Sequence, residues 1–193
     1  VAKEFANLKI PFAYRIHEAP TTEKLKNLID FLAGIGINCP PMPNIITPSY
    51  YKQILKLIED NPLKESLNKM ILRSLQKARY SNECLGHFGL ALKYYCHFTS
   101  PIRRYPDLLI HRIIKQELSN KKFSKDLKEF VFEACEQSSQ KERAADEAER
   151  DADDLKKVQY MKKFLGKEFE GIISSVTSFG FFVELENTVE GLV

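Results

Sequence analysis

The chain has 193 residues, 44% of them hydrophobic and 28% charged, with a formal charge of +3. That is enough chain to bury one ordinary core and begin a second, and its composition excludes a disordered, collagen-like or disulfide-stapled class. A charge of +3 is too small to argue for a polyanionic partner, so any nucleic-acid case must rest on local patches.

No apolar run approaches the 18 residues of a membrane span, and no secretory leader pattern opens the chain, so an intracellular protein or an excised fragment is expected, cytoplasmic and without a membrane partner. Cys39, Cys84, Cys96 and Cys135 read as reduced core thiols. Cys84, His87, Cys96 and His97 superficially suggest zinc, but adjacent residues 96 and 97 rarely converge on one tetrahedral ion. The bland reading is favoured there, and no metal site is assigned.

In chain order, residues 1 to 17 end a helix and become extended at Pro11. Thr21 or Thr22 can cap a helix over about 23–33, with Leu25, Leu28, Ile29 and Leu32 on its buried face and Gly34 and Gly36 stopping it. Residues 38–48 hold four of the nine prolines and predict an irregular connection. Helices follow over about 50–59, capped by Ser49 with Ile54, Leu55 and Ile58 inward, and over about 63–78, with Leu67, Met70, Ile71 and Leu75 inward.

The most distinctive stretch runs from Gly86 through GHFGLALKYYCHFTSPIRRYPDLLIHR. Its second part has a helical period in Leu108, Leu109, Arg112, Ile113 and Gln116, with Thr99, Ser100 and Pro101 supplying capping chemistry. Residues 124–165 contain neither Gly nor Pro and predict one long charged helix. Beyond residue 166 the β-branched and aromatic residues, punctuated by Gly171, Gly180 and Gly191, predict about three strands. The domain boundary is accordingly placed between 1–165 and 166–193.

Arg103 and Arg104 beside a helix start combine planar donor forks with free backbone N–H groups, an arrangement suited to phosphate. Tyr105, with Tyr94, Tyr95 and Phe98 upstream, can stack bases. Solvated arginines or pairs with helix carboxylates are an equally good account on physics alone. For Arg15 and His17 the residues favour structure, locking sheet to helix, over lining an RNA path; His97 and His111 read as satisfied interior groups.

The stretch Gly86 to Arg112 resembles the ribonuclease R and ribonuclease II family of 3′→5′ exoribonucleases, most of all ribonuclease R. PFAYRIHEAPTTEK upstream and ADEAERDADD downstream are similar to the same family in the same order. The implied fold class is α+β: a helix-rich C-terminal part of an RNB catalytic domain over 1–165, then a partial antiparallel β segment opening an OB-type RNA-binding domain over 166–193.

The resemblance implies processive hydrolysis of single-stranded RNA to nucleoside 5′-monophosphates with Mg²⁺. It assigns Arg103 a catalytic contact to phosphates at the 3′ end, with Arg104 as a supporting contact and Glu149 facing the RNA; Tyr105, as a ring that can stack bases, is counted with them as RNA-binding. Glu149 would accept from a ribose 2′-OH, although the run Asp146 to Asp154 also reads as a solvated helix face. Phe179 and Phe181 would stack bases in the OB segment, where period two sets Phe181 and Val183 on one face against Phe182 and Glu184.

The family's metal-binding aspartates, of the form D-x-x-D-x-D-D, have no counterpart here. The chain is therefore expected to be inactive alone, with Mg²⁺ held by ligands outside it, and to be a monomer. A non-catalytic RNA-binding module is the alternative.

Overall fold

The computed structural model describes residues 1–193 and consists of two compact units, Val1–Lys141 and Glu142–Val193. The first begins with α1 (Ala2–Leu8) and β1 (Tyr14–Ile16), followed by α2 (Thr22–Gly34), α3 (Pro48–Leu57), α4 (Lys64–Ser74), β2 (Arg79–Ser81), a single 3-10 turn at Phe88–Leu90, and α5 (Tyr105–Leu118). The long helix α6 (Leu127–Met161) starts in the first unit. The second unit holds its remainder and the strands β3 (Gly171–Thr177), β4 (Gly180–Leu185) and β5 (Glu190–Leu192). This is the helix-rich α+β class expected from the sequence. No helix is long and apolar enough to cross a membrane.

The first unit has two apolar cores. One gathers Phe5, Phe12, Tyr14, Ile16, Tyr80, Leu109, Ile110, Ile113, Val131 and Cys135, so α1, β1, β2, α5 and the start of α6 close around it. The other packs α2, α3 and α4 through Leu25, Leu28, Leu32, Tyr50, Tyr51, Ile54, Ile58, Leu67 and Ile71. Such burial is worth about 1.5–3 kcal/mol for each large apolar side chain, which is why each small group of helices holds its shape.

Local details follow backbone chemistry. Thr21 caps α2 by accepting from the Lys24 N–H at 3.3 Å, and Gly36, at φ +84°, takes the left-handed turn beyond its end. Four sequence expectations are corrected. Thr47, not Ser49, occupies the N-cap position of α3, because Pro48 fits the first helical turn. Leu55 is exposed, whereas Tyr50 and Tyr51 are buried. Helix α4 ends at Ser74, not near Ala78, because Arg79, Tyr80 and Ser81 pair antiparallel with Ile16, Arg15 and Tyr14. On α5 the buried face is Pro106, Asp107, Leu109, Ile110 and Ile113, one step round from the predicted stripe.

In the second unit β4 lies between β3 and β5, with Ile173 opposite Val183, Val183 opposite Gly191, and an irregularity between Ile173 and Ser175. No residue beyond Ser139 is buried.

Candidate nucleic-acid interface

The loop before α5 is built around one carboxylate. Asp107, in the first turn of α5, is fully buried; its Oδ2 accepts from the Ser100 N–H at 2.8 Å and from Arg104 Nε and Nη2 at 3.2 and 2.8 Å. The N–H groups of Arg103 and Arg104 both point back to the Ser100 carbonyl, at 3.3 and 3.1 Å, closing a tight turn. Arg104 is thus the N-cap residue of α5 and is tied inward, while its neighbour Arg103 is exposed. The capping expected from Thr99 and Ser100 side chains is instead carried by the Ser100 main chain and Asp107. Asp107 Oδ1 is buried without a hydrogen-bond partner, so the carboxylate's second oxygen can still accept a donor.

Of the residues singled out for RNA contact, Arg103, Arg104 and Tyr105 lie together in this turn, with Tyr105 about half exposed. Glu149 is exposed on the part of α6 that belongs to the second unit. Phe179, 72% exposed, sits in the turn between β3 and β4, and Phe181, 38% exposed, near the start of β4. The structure brings the three loop residues together and keeps the other three in the second unit.

The residues just before the loop alternate in role. Tyr94, Cys96 and Phe98 pack against the first core, while Tyr95 and His97 meet other rings. The His97 Nδ1 shares a hydrogen bond with the Tyr80 hydroxyl at 2.9 Å, and the Arg15 guanidinium lies over the Tyr80 ring, 4.7 Å from its centroid. Burial first, then the positive charges of Arg104 and Arg15, push the His97 imidazole down to about 4. His87 is lowered as well, by burial, then by His17 and Arg15.

His17 is a lock, as the sequence favoured. Its Nε2 donates to the Gln76 carbonyl at 2.7 Å and its Nδ1 accepts from the Gly89 N–H at 2.9 Å, which fastens the end of β1 to the residues beyond α4 and to the 3-10 turn. A Cβ on Gly89 would stand 2.8 Å from that Nδ1, so the close approach requires glycine. His111 donates to the Phe98 carbonyl at 2.8 Å and stacks on the Phe98 ring.

Sequence reading missed Asp107 and the ring contacts. An acidic residue in a helix's first turn is a visible signal, but it ordinarily marks a solvated dipole partner, not a buried anchor. Cys84 and Cys96 pack against the core, with their thiols raised chiefly by burial, and His97 is engaged with Tyr80. No three His, Cys, Asp or Glu side chains are placed to hold a metal ion. A hard cation such as magnesium needs several convergent oxygens, and this chain's residues do not provide that cage.

The RNB domain family matches residues 1–120, and the S1 RNA binding domain family matches residues 162–193. Ribonuclease R 1 of Lactococcus lactis is 46% identical over the whole chain, which covers 24% of that protein; ribonuclease R of Aquifex aeolicus is 45% identical, with 28% of it covered. Among solved structures, Mycoplasma genitalium RNase R in complex with ribose methylated single-stranded RNA superposes with a TM-score of 0.92 at 35% identity, over 99% of this chain and 31% of that one. The chain spans about a quarter of the length of the curated relatives it matches. With an RNB match over most of its length and an S1 match behind it, the chain belongs to the RNB domain family and is similar to its ribonuclease R members.

Proposed function

We propose that this chain is part of a processive 3′→5′ exoribonuclease that hydrolyses single-stranded RNA to nucleoside 5′-monophosphates, working in the cytoplasm as a monomer. Arg103 carries the reading: a guanidinium exposed beside a helix start, on a turn held rigid by the buried Asp107. A cation fixed in this way can meet charge that builds on a phosphate without reorganising as it does so, which is where electrostatic catalysis gains most. Arg104 both braces the turn and adds positive potential, Tyr105 offers a ring, and Phe179 and Phe181 offer stacking surfaces in the S1-like segment. Glu149 is assigned to a ribose hydroxyl.

Mg²⁺, when bound, would supply Lewis-acid and nucleophile-generating chemistry to such a reaction. Because no cage for it forms among these residues, the chain alone is proposed to bind RNA without cutting it. Incubating the chain with 5′-labelled single-stranded RNA and Mg²⁺, beside a low-salt binding control, should show retention without shortening. Stepwise 3′ shortening would overturn the proposed inactivity, and failure to bind would overturn the RNA reading itself.

In an enzyme containing the chain within its full length, Arg103→Ala should lower single-turnover cleavage by about 10²–10³-fold with little change in RNA affinity, since the lost contact is made mainly in the transition state. Unchanged cleavage would remove Arg103 from the reaction.

A further inference from the structure

Helix α5 grips the loop ahead of it at two levels. Asp107, in its first turn, takes the Ser100 N–H and the Arg104 side chain, and His111 lies one turn further along the same face. The His111 Nε2 donates to the Phe98 carbonyl at 2.8 Å, and its ring stacks on the Phe98 ring with centroids 4.4 Å apart and planes 11° from parallel. Phe98 itself packs against the first core. Residues 98–104 are therefore tied to α5 at both of their ends, by His111 at Phe98 and by Asp107 at Ser100 and Arg104.

Between these ties the loop has little of its own to hold it. Thr99 is exposed, Ile102 fully so, and the turn's internal bonds run from the Arg103 and Arg104 N–H groups to the Ser100 carbonyl. Without the tie at Phe98, the chain entering the turn would be fixed to α5 through Asp107 alone, free to pivot there and to carry Arg103, three residues beyond Ser100, with it. A group that acts by electrostatics is sensitive to such movement, since misplacement by about 1 Å can cost about 10²-fold in rate. Burial does not account for the arrangement: His111 is only half-buried, yet its one ring meets both the carbonyl and the side chain of the same residue.

We propose that His111 is a positioning residue for Arg103. With Asp107 it forms a clamp, one turn of α5 long, that sets where the Arg103 guanidinium stands against a phosphate of single-stranded RNA. The clamp's role rests on the reading that Arg103 meets charge building on that phosphate. His111 acts through the Phe98 carbonyl and needs no contact with the RNA.

The test is single-turnover cleavage of 5′-labelled single-stranded RNA by an enzyme containing the chain within its full length, with RNA affinity measured alongside. His111→Phe keeps a ring on Phe98 but loses the donor, and should slow cleavage by about 10–10²-fold at unchanged affinity. His111→Gln keeps a donor at similar reach and should recover most of the rate, whereas His111→Asn, one carbon shorter, should not; that pair serves even if His111→Phe fails to fold. Because His111 acts through Arg103, Arg103→Ala combined with His111→Phe should be no slower than Arg103→Ala alone. A folded His111→Phe or His111→Asn enzyme that cleaves at the unaltered rate, or losses that multiply in the double variant, would overturn the clamp while leaving Arg103 in the reaction. Unchanged cleavage by Arg103→Ala would overturn both.

Discussion

The turn from Ser100 to Asp107 and the helical stretch from Glu142 to Met161 are both rich in charge, yet they are built in opposite ways. In the turn, one fully buried carboxylate fixes a main-chain N–H and a guanidinium, and the neighbouring Arg103 is displayed by that scaffold. Along the helix, Asp146, Glu147, Glu149, Asp151, Asp153 and Asp154 are all exposed, and contacts such as Lys157 to Asp154, at 4.0 Å, are surface pairs. Charges of the first kind are held in place before a ligand arrives; those of the second kind must be ordered by it. The contrast predicts where a single substitution will be felt.

The largest effect belongs to Arg104. Arg104→Met leaves the Asp107 carboxylate buried with only the Ser100 N–H, and breaking a buried pair in this way costs about 3–5 kcal/mol. Urea unfolding followed by circular dichroism should show a large fall in midpoint. Arg103→Met, one residue away and exposed, should stay within about 0.5 kcal/mol of the unaltered chain. Equal losses at the two positions would erase the distinction between brace and display.

A smaller effect comes from pH. The His97 imidazole is held at about 4 in the fold, below its ordinary 6.5, by burial and by Arg104 and Arg15. A depressed histidine favours the fold while it is neutral, so its contribution is complete above about pH 6.5 and is lost as pH falls toward 4. Between pH 7 and pH 5 the loss should be about 1 kcal/mol, less than the full shift implies because the ring is partly exposed and screened. His97→Gln should flatten that part of the stability profile. An identical profile in the variant would mean that His97 is not under strain from the arginines beside it.

The same contrast governs what the sequence could reveal. The arginine turn was legible because its residues are contiguous and helix α5 starts on a Pro at its second position; Thr21 likewise announced α2. The end of α4 was not legible, since Arg79–Ser81 has no strand pattern of its own and is recruited by pairing with β1. Strands of three residues are too short for alternation to show. Asp107 reads as a surface carboxylate until Ser100 and Arg104 are folded over it, and the ring contacts join residues 15, 80, 87, 95 and 97, which no local window contains. In the second unit, the β-branched and aromatic residues punctuated by glycines correctly anticipated strands, but no side chain there is buried, so the period-two alternation could not be read as an inside and an outside.

The smallest effect separates the two accounts of Glu149. On α6 it has Asp146 three residues before it and Asp153 four residues after it, both like charges at positions that face one another on a helix. Glu149→Gln therefore relieves repulsion and should stabilise the chain by about 0.2–0.5 kcal/mol. A merely solvated carboxylate would also repel phosphate, so its removal should strengthen binding of an oligouridylate and of the matching oligodeoxyuridylate alike at low salt. A carboxylate that accepts from the ribose 2′-OH is different: its removal weakens RNA binding and leaves the deoxy strand equal or tighter, because only RNA supplies that donor. The ratio of the two affinities, measured before and after the substitution, decides between a helix face that is charged for solubility and one that distinguishes RNA from DNA.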